Sequence, residues 1–140
     1  MKSLNTLIKI NSRELDELRL QLAKFEEERI RLISENKKLE EDLAREHQLS
    51  SEDPALGIMF ANYRIMVRGK QEGILRSLHK LDNSIEILKE DIAAKFSEVK
   101  KFEIILANKI TEEKKQAQAR ETRQLDEIAI NNHLKENAGV

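Results

Sequence analysis

The chain has 140 residues, 25 basic and 26 acidic, a single proline, four glycines, no cysteine and 4% aromatic residues. Alanine, glutamate, lysine, leucine and arginine together supply 74 positions, about half the chain, which is the composition of long helices or coiled coils. So little turn chemistry and so few aromatics exclude sandwiches, barrels, α/β folds and most enzyme scaffolds, and leave an elongated all-helical chain.

The first element is predicted over residues 3–47. Apolar residues there fall on a heptad, with Met1, Ile8, Leu15, Leu22, Arg29, Asn36 and Leu43 at a, and Leu4, Asn11, Leu18, Phe25, Leu32, Leu39 and Glu46 at d. Such a repeat marks a coiled-coil helix. The polar members weaken burial and help to fix register. A break follows at about 48–53, where Asp53 suits a helix N-cap and Pro54 the first helical position.

The second element is predicted over 54–132. Its seam runs Ile74, Leu78, Leu81, Ile85, Leu88, Ile92, Lys95, Val99, Phe102 and Leu106 at spacings of four and three. Beyond Leu106 the same frame lands on Lys109, Glu113, Gln116, Arg120 and Arg123, which cannot form a dry seam. A shifted stripe of Ile110, Ala117, Leu125 and Ile128 reads as a stutter with a weaker partner surface. Asn131, Asn132, Ala138 and Gly139 mark fraying, so 133–140 is expected to be a loose tail. A short connection between long helices favours an antiparallel hairpin treated as one domain, 1–140. Helix 2 is the longer; pairing is expected to reach about Lys100, and the rest overhangs. Asn36 is expected near Gly69 and Gln71 as a polar layer. Gly69 and Gly73 read first as a close helix approach or bend, and second as a functional hinge.

Charge is interspersed along the chain, and the pI is about 6.3. That argues against a general nucleic-acid binder, which shows a basic stripe. A local run of Arg64, Arg68, Lys70, Arg76 and Lys80 reads more simply as a wet helix face than as a polyanion site. Without cysteine there is neither a disulfide framework nor a thiolate nucleophile. Apolar runs such as Ile104–Ala107 are too short to insert in a membrane, and the opening residues lack a signal-peptide core. A cytoplasmic location is expected.

Catalytic chemistry has no foothold in the sequence. His47, His79 and His133 form no ligand pair, and no cofactor or metal is expected. Acidic clusters such as Glu26–Glu28 lie on a helix surface with nothing to move their pKa values. Binding surfaces are the better prospect. Ile58, Met59, Phe60, Tyr63, Ile65, Met66 and Val67 crowd the opening of helix 2, more than one seam can cover. Phe60, Tyr63, Met66 and Val67 are therefore candidate partner-binding residues, set against the alternative that Leu43 and Leu49 at the end of helix 1 fold over them. On the overhang, Leu125 and Ile128 form an apolar step beside Asp126.

Three stretches carry a resemblance: Phe60-Ala61-Asn62-Tyr63; the run from Lys100-Lys101-Phe102-Glu103 into Glu112-Glu113-Lys114-Lys115; and Glu121 to Ala129, ending Leu-Asp-Glu-Ile-Ala. With two long helices and a break near residue 50, the chain resembles the FliJ family, small coiled-coil proteins of the flagellar type III export apparatus. The resemblance implies an antiparallel coiled coil shaped like the central stalk subunit of rotary ATP synthases. It implies a non-enzymatic partner of the hexameric export ATPase that promotes ring assembly and hydrolysis. The same protein would connect the ATPase to the membrane export gate protein and to export chaperones. Leu125, Asp126 and Ile128 would then approach the ATPase ring, and Phe60, Tyr63 and Met66 would meet the gate or a chaperone. It further implies a monomer outside the complex, cytoplasmic and peripheral at the inner membrane through the apparatus. The alternative is a cytoplasmic scaffold, adaptor or chaperone that self-associates through its helices.

Overall fold

The computed structural model describes residues 2–138; Met1 of the helix 1 heptad and the tail residues Gly139 and Val140 lie outside the described residues. The described chain is all-α: α1 spans Lys2–Ser51 and the longer α2 spans Leu56–Ala138, with no strand among the described residues. α1 extends beyond its expected limits at both ends, and α2 starts two residues later than expected and runs on past residue 132. Ser50 and Ser51 turn their hydroxyls back onto the carbonyls of His47 and Gln48, at 3.0 and 2.8 Å, and carry α1 past residue 47. Asp53 gathers the first amides of the next helix. Its carboxylate accepts from the Ala55 N–H at 3.0 Å and its carbonyl from Leu56 at 3.1 Å, so α2 begins two residues after Pro54. Residues 133–138, expected as a loose tail, are helical.

Two compact units are present, Arg13–Phe96 and a second combining the residues up to Ser12 with those from Ser97 onward. Within 13–96 the helices run antiparallel. Three bridged pairs show it: Glu14 with Lys95, Arg29 with Asp82, and Glu40 with Arg68, at 2.6, 2.7 and 2.7 Å. Their residue numbers total 109, 111 and 108, the near-constant value that opposite chain directions require. Leu15, Leu32, Leu43, Val67, Ile74, Ile85 and Leu88 are buried between them. These are the heptad positions, and each buried Leu or Ile contributes about 1.5–3 kcal/mol through removal from water. Arg29 and Glu46 are the seam positions that stay exposed.

The polar layer differs from expectation. Asn36 is only half-buried, and its Oδ1 is sealed from solvent without a hydrogen bond. Gln71 is buried instead and donates from Nε2 to the Glu40 carboxylate at 2.9 Å. No close helix approach explains the two glycines. A Cβ at Gly69 would meet nothing within 4 Å, and one at Gly73 only the end of Arg76 at 3.8 Å.

In the other unit, Leu4, Asn11 and Val99 are buried, and Phe102 and Leu106 are half-buried. Burial on α2 therefore continues to Leu106, past the expected end of pairing at Lys100. From 107 to 138 every residue is exposed.

Candidate functional site

At the bend, the crowded opening of α2 divides into an inner and an outer side. Val67 is 1% exposed and belongs to the packing between the helices, so it offers no surface to a partner. Phe60 and Tyr63 are half-buried. The Phe60 ring lies 5.1 Å from the His47 ring at a 47° tilt, so the end of α1 covers part of it. Of the two residues expected to cover it, Leu43 is buried and lines a groove with His47 and Phe60, whereas Leu49 is 58% exposed.

The outer side remains open. Ile58, Met59, Ile65 and Met66 are 76%, 68%, 72% and 50% exposed. A groove of about 290 Å³ at the bend is walled by Leu49, Leu56, Met59, Phe60 and Tyr63, with Glu46 and Ser50 at its polar edge. Methionine and tyrosine lend such a surface adaptable shape and one polar handle. Leu56, and Leu49 as a wall rather than as the expected cover, also belong to this surface; their position beside the break is the sequence signal for it.

One member of the basic run is engaged within the chain. Arg68 is drawn into the helix pairing, donating to Glu40 and to the Gln71 side chain, both at 2.7 Å. Its effect reaches the carboxylate. Hydrogen bonds first from Gln71 and then from Arg68 hold Glu40 below the ordinary glutamate range. Glu28 is lowered in the same way, first by its hydrogen bond from Arg31. The acidic surface was expected to be unperturbed, and these two arginine-paired carboxylates correct that. The direction favours the ionised form, the opposite of what a general acid needs. Among the described residues, no group of three or more histidine, cysteine, aspartate or glutamate side chains is placed to hold a metal.

The second candidate surface is the far part of α2. Leu125, Asp126 and Ile128 are all exposed, as are Ile130 and Leu134. Side-chain bonds here run one turn along the same helix, from Thr111 to the Ala107 carbonyl at 3.0 Å and between Asn137 and His133 at 3.2 Å. Nothing in residues 107–138 is engaged in packing.

Comparison with known proteins decides the family. The family model described as "Flagellar FliJ protein" matches residues 1–138. The chain belongs to the FliJ family. It is accordingly a flagellar, export-related component, and its two helices with the longer second one agree with the coiled coil expected from the resemblance. No curated protein and no solved structure matches the chain. Among the described residues, no helix is long and apolar enough to cross a membrane.

Proposed function

We propose that this protein is the non-enzymatic stalk of a flagellar type III export ATPase. It promotes assembly and turnover of the ATPase ring and couples the ring to the export gate and export chaperones from the cytoplasmic side. The observation that carries this reading is the continuous helix over residues 107–138 without a single covered side chain. An isolated helix in water gains little from propensity alone and is stabilised mainly by packing. A partner that surrounds it supplies what the chain itself does not. Leu125, Asp126 and Ile128 are the proposed contacts with the ATPase. Met59, Met66 and the exposed parts of Phe60 and Tyr63 are the proposed contacts with the gate or a chaperone. Adding the purified chain to its cognate export ATPase tests the proposal: hydrolysis accelerates and a complex forms. Absence of both stimulation and a complex would overturn it.

A second reading, a self-associating scaffold, draws on exposed Leu20, Ile30 and Ile33 of α1 and Leu75 and Ile87 of α2. Light scattering separates the two. A monomer at micromolar concentration favours the stalk, and a stable dimer or tetramer favours the scaffold.

A further inference from the structure

The apolar seam between the helices repeats every heptad, so by itself it accepts a slip of one heptad nearly as well as the observed pairing. Leu22 can face Leu81 as readily as Leu88, and Leu18 can face Ile85 as readily as Ile92. The bend opposes a slip only weakly. From Ala44 to Met59 only Ser50 is even half-buried, so unwinding the turn there exposes little new surface. Three backbone bonds hold it, Asp53 to Ser50, Leu56 to Asp53 and Gly57 to Pro54, at 3.4, 3.1 and 3.2 Å.

We infer that the three polar bridges Glu14–Lys95, Arg29–Asp82 and Glu40–Arg68/Gln71 form a register lock that selects one pairing of the helices within residues 13–96. A slip of one heptad in one direction sets Glu14 against Leu88, Arg29 against Leu75 and Glu40 against Ala61. All three charges lose their partners together. A slip in the other direction sets Arg29 against Lys89, a like-charge pair, with Glu40 against Leu75 and Lys95 against Gln21. Lys95 occupies a seam position with its side chain only 22% exposed, and Gln71 is buried. Gln71 is the member for which an unmatched register is most costly, because its bond to Glu40 is partly buried, whereas the Lys95–Glu14 bond is open to water. Exposed bridges contribute little to stability one at a time. Their force as a lock lies in the contrast between one register that makes all three and neighbouring registers that break all three, set against new juxtapositions such as Arg19 with Asp82 or Glu26 with Lys89.

The test uses the full chain, which has no cysteine, so spin labels can be placed at Glu26→Cys and Glu86→Cys alone. Both positions line one groove across the helix pair. Pulsed electron resonance on this background should give a single label distance. Removing the lock with Glu14→Ala, Arg29→Ala and Glu40→Ala should add a second population at longer label distance, because the helices have slid by about 10 Å, one heptad of helical rise, along their axes. Exchanging the charges (Glu14→Lys with Lys95→Glu, and Arg29→Asp with Asp82→Arg) should restore the single distance. A single unchanged distance in the unlocked chain overturns the inference. If the unlocked chain loses its helix signal, one-sided reversal decides: a second distance with Glu14→Lys plus Asp82→Arg that vanishes when Lys95→Glu plus Arg29→Asp are added supports the lock, and a single native distance in both overturns it.

Discussion

Val67 and Met66 are adjacent in sequence and opposite in surroundings: Val67 is 1% exposed between the helices, whereas Met66 is half exposed on the outer side of α2. One helical step of about 100° separates packing from partner surface at this point. Val67→Ala should therefore cost roughly 1–3 kcal/mol of stability, through lost burial and the cavity it leaves. Met66→Ala should cost no more than about 0.5 kcal/mol, as for other surface positions. Thermal unfolding followed by circular dichroism reads both, and equal destabilisation would contradict the division into inner and outer sides.

Partner binding should show the reverse order. Met59→Ala with Met66→Ala should weaken capture by the gate or chaperone while leaving helicity unchanged. Phe60→Ala with Tyr63→Ala should weaken binding too, but with a loss of stability, because both rings are half-buried and Phe60 lies against His47. Binding measured by calorimetry beside a melt of each variant separates the two effects. A methionine pair that changed stability but not affinity would sink the surface.

The helical character and both seams were legible in the sequence because leucine and isoleucine recur at spacings of three and four, which only a helix turns into one stripe. Helix ends were less legible. Serine and asparagine read as breakers, yet Ser50 and Ser51 satisfy helix carbonyls with their hydroxyls, and Asn137 lies within 3.2 Å of His133 one turn back. The polar side of the candidate site was hidden for a different reason. The Glu40–Arg68–Gln71 cluster joins positions 28 and 31 residues apart, and its partners are set by register, which heptad phase does not specify. Likewise the crowd of apolar residues at 58–67 was visible, but which of them His47 would cover depended on how the end of α1 lies.

Gly69 and Gly73 give a prediction with a definite sign. Neither position needs the missing Cβ for packing, and neither glycine has a positive φ. Gly69→Ala should raise stability by about 0.5–1 kcal/mol, seen as a rise of a few degrees in Tm. If export function falls while Tm rises, the glycine serves flexibility; a fall in Tm would show a contact that the helix geometry does not contain.

Acidification should loosen the helix pairing through Glu40. Its folded pKa lies below the ordinary value of about 4.5, so the unfolded chain binds the proton first. The stabilising contribution is present above about 4.5 and is lost as pH falls through the lower folded value. Glu28, held down by Arg31, acts in the same sense. Tm should fall as pH drops below about 4.5, and Glu40→Gln should make that fall shallower. An unchanged slope in the variant would show that the bridge does not couple to folding.

The uncovered stretch of α2 is proposed to meet the export ATPase. The most direct measurement is the hydrolysis rate of that ATPase with the intact chain and with Leu125→Ala plus Ile128→Ala. Both residues are exposed, so the variant should keep its fold and melt at the same temperature. The intact chain should stimulate hydrolysis, and the variant should lose most of that stimulation. Equal stimulation by the two, or none by either, would contradict it.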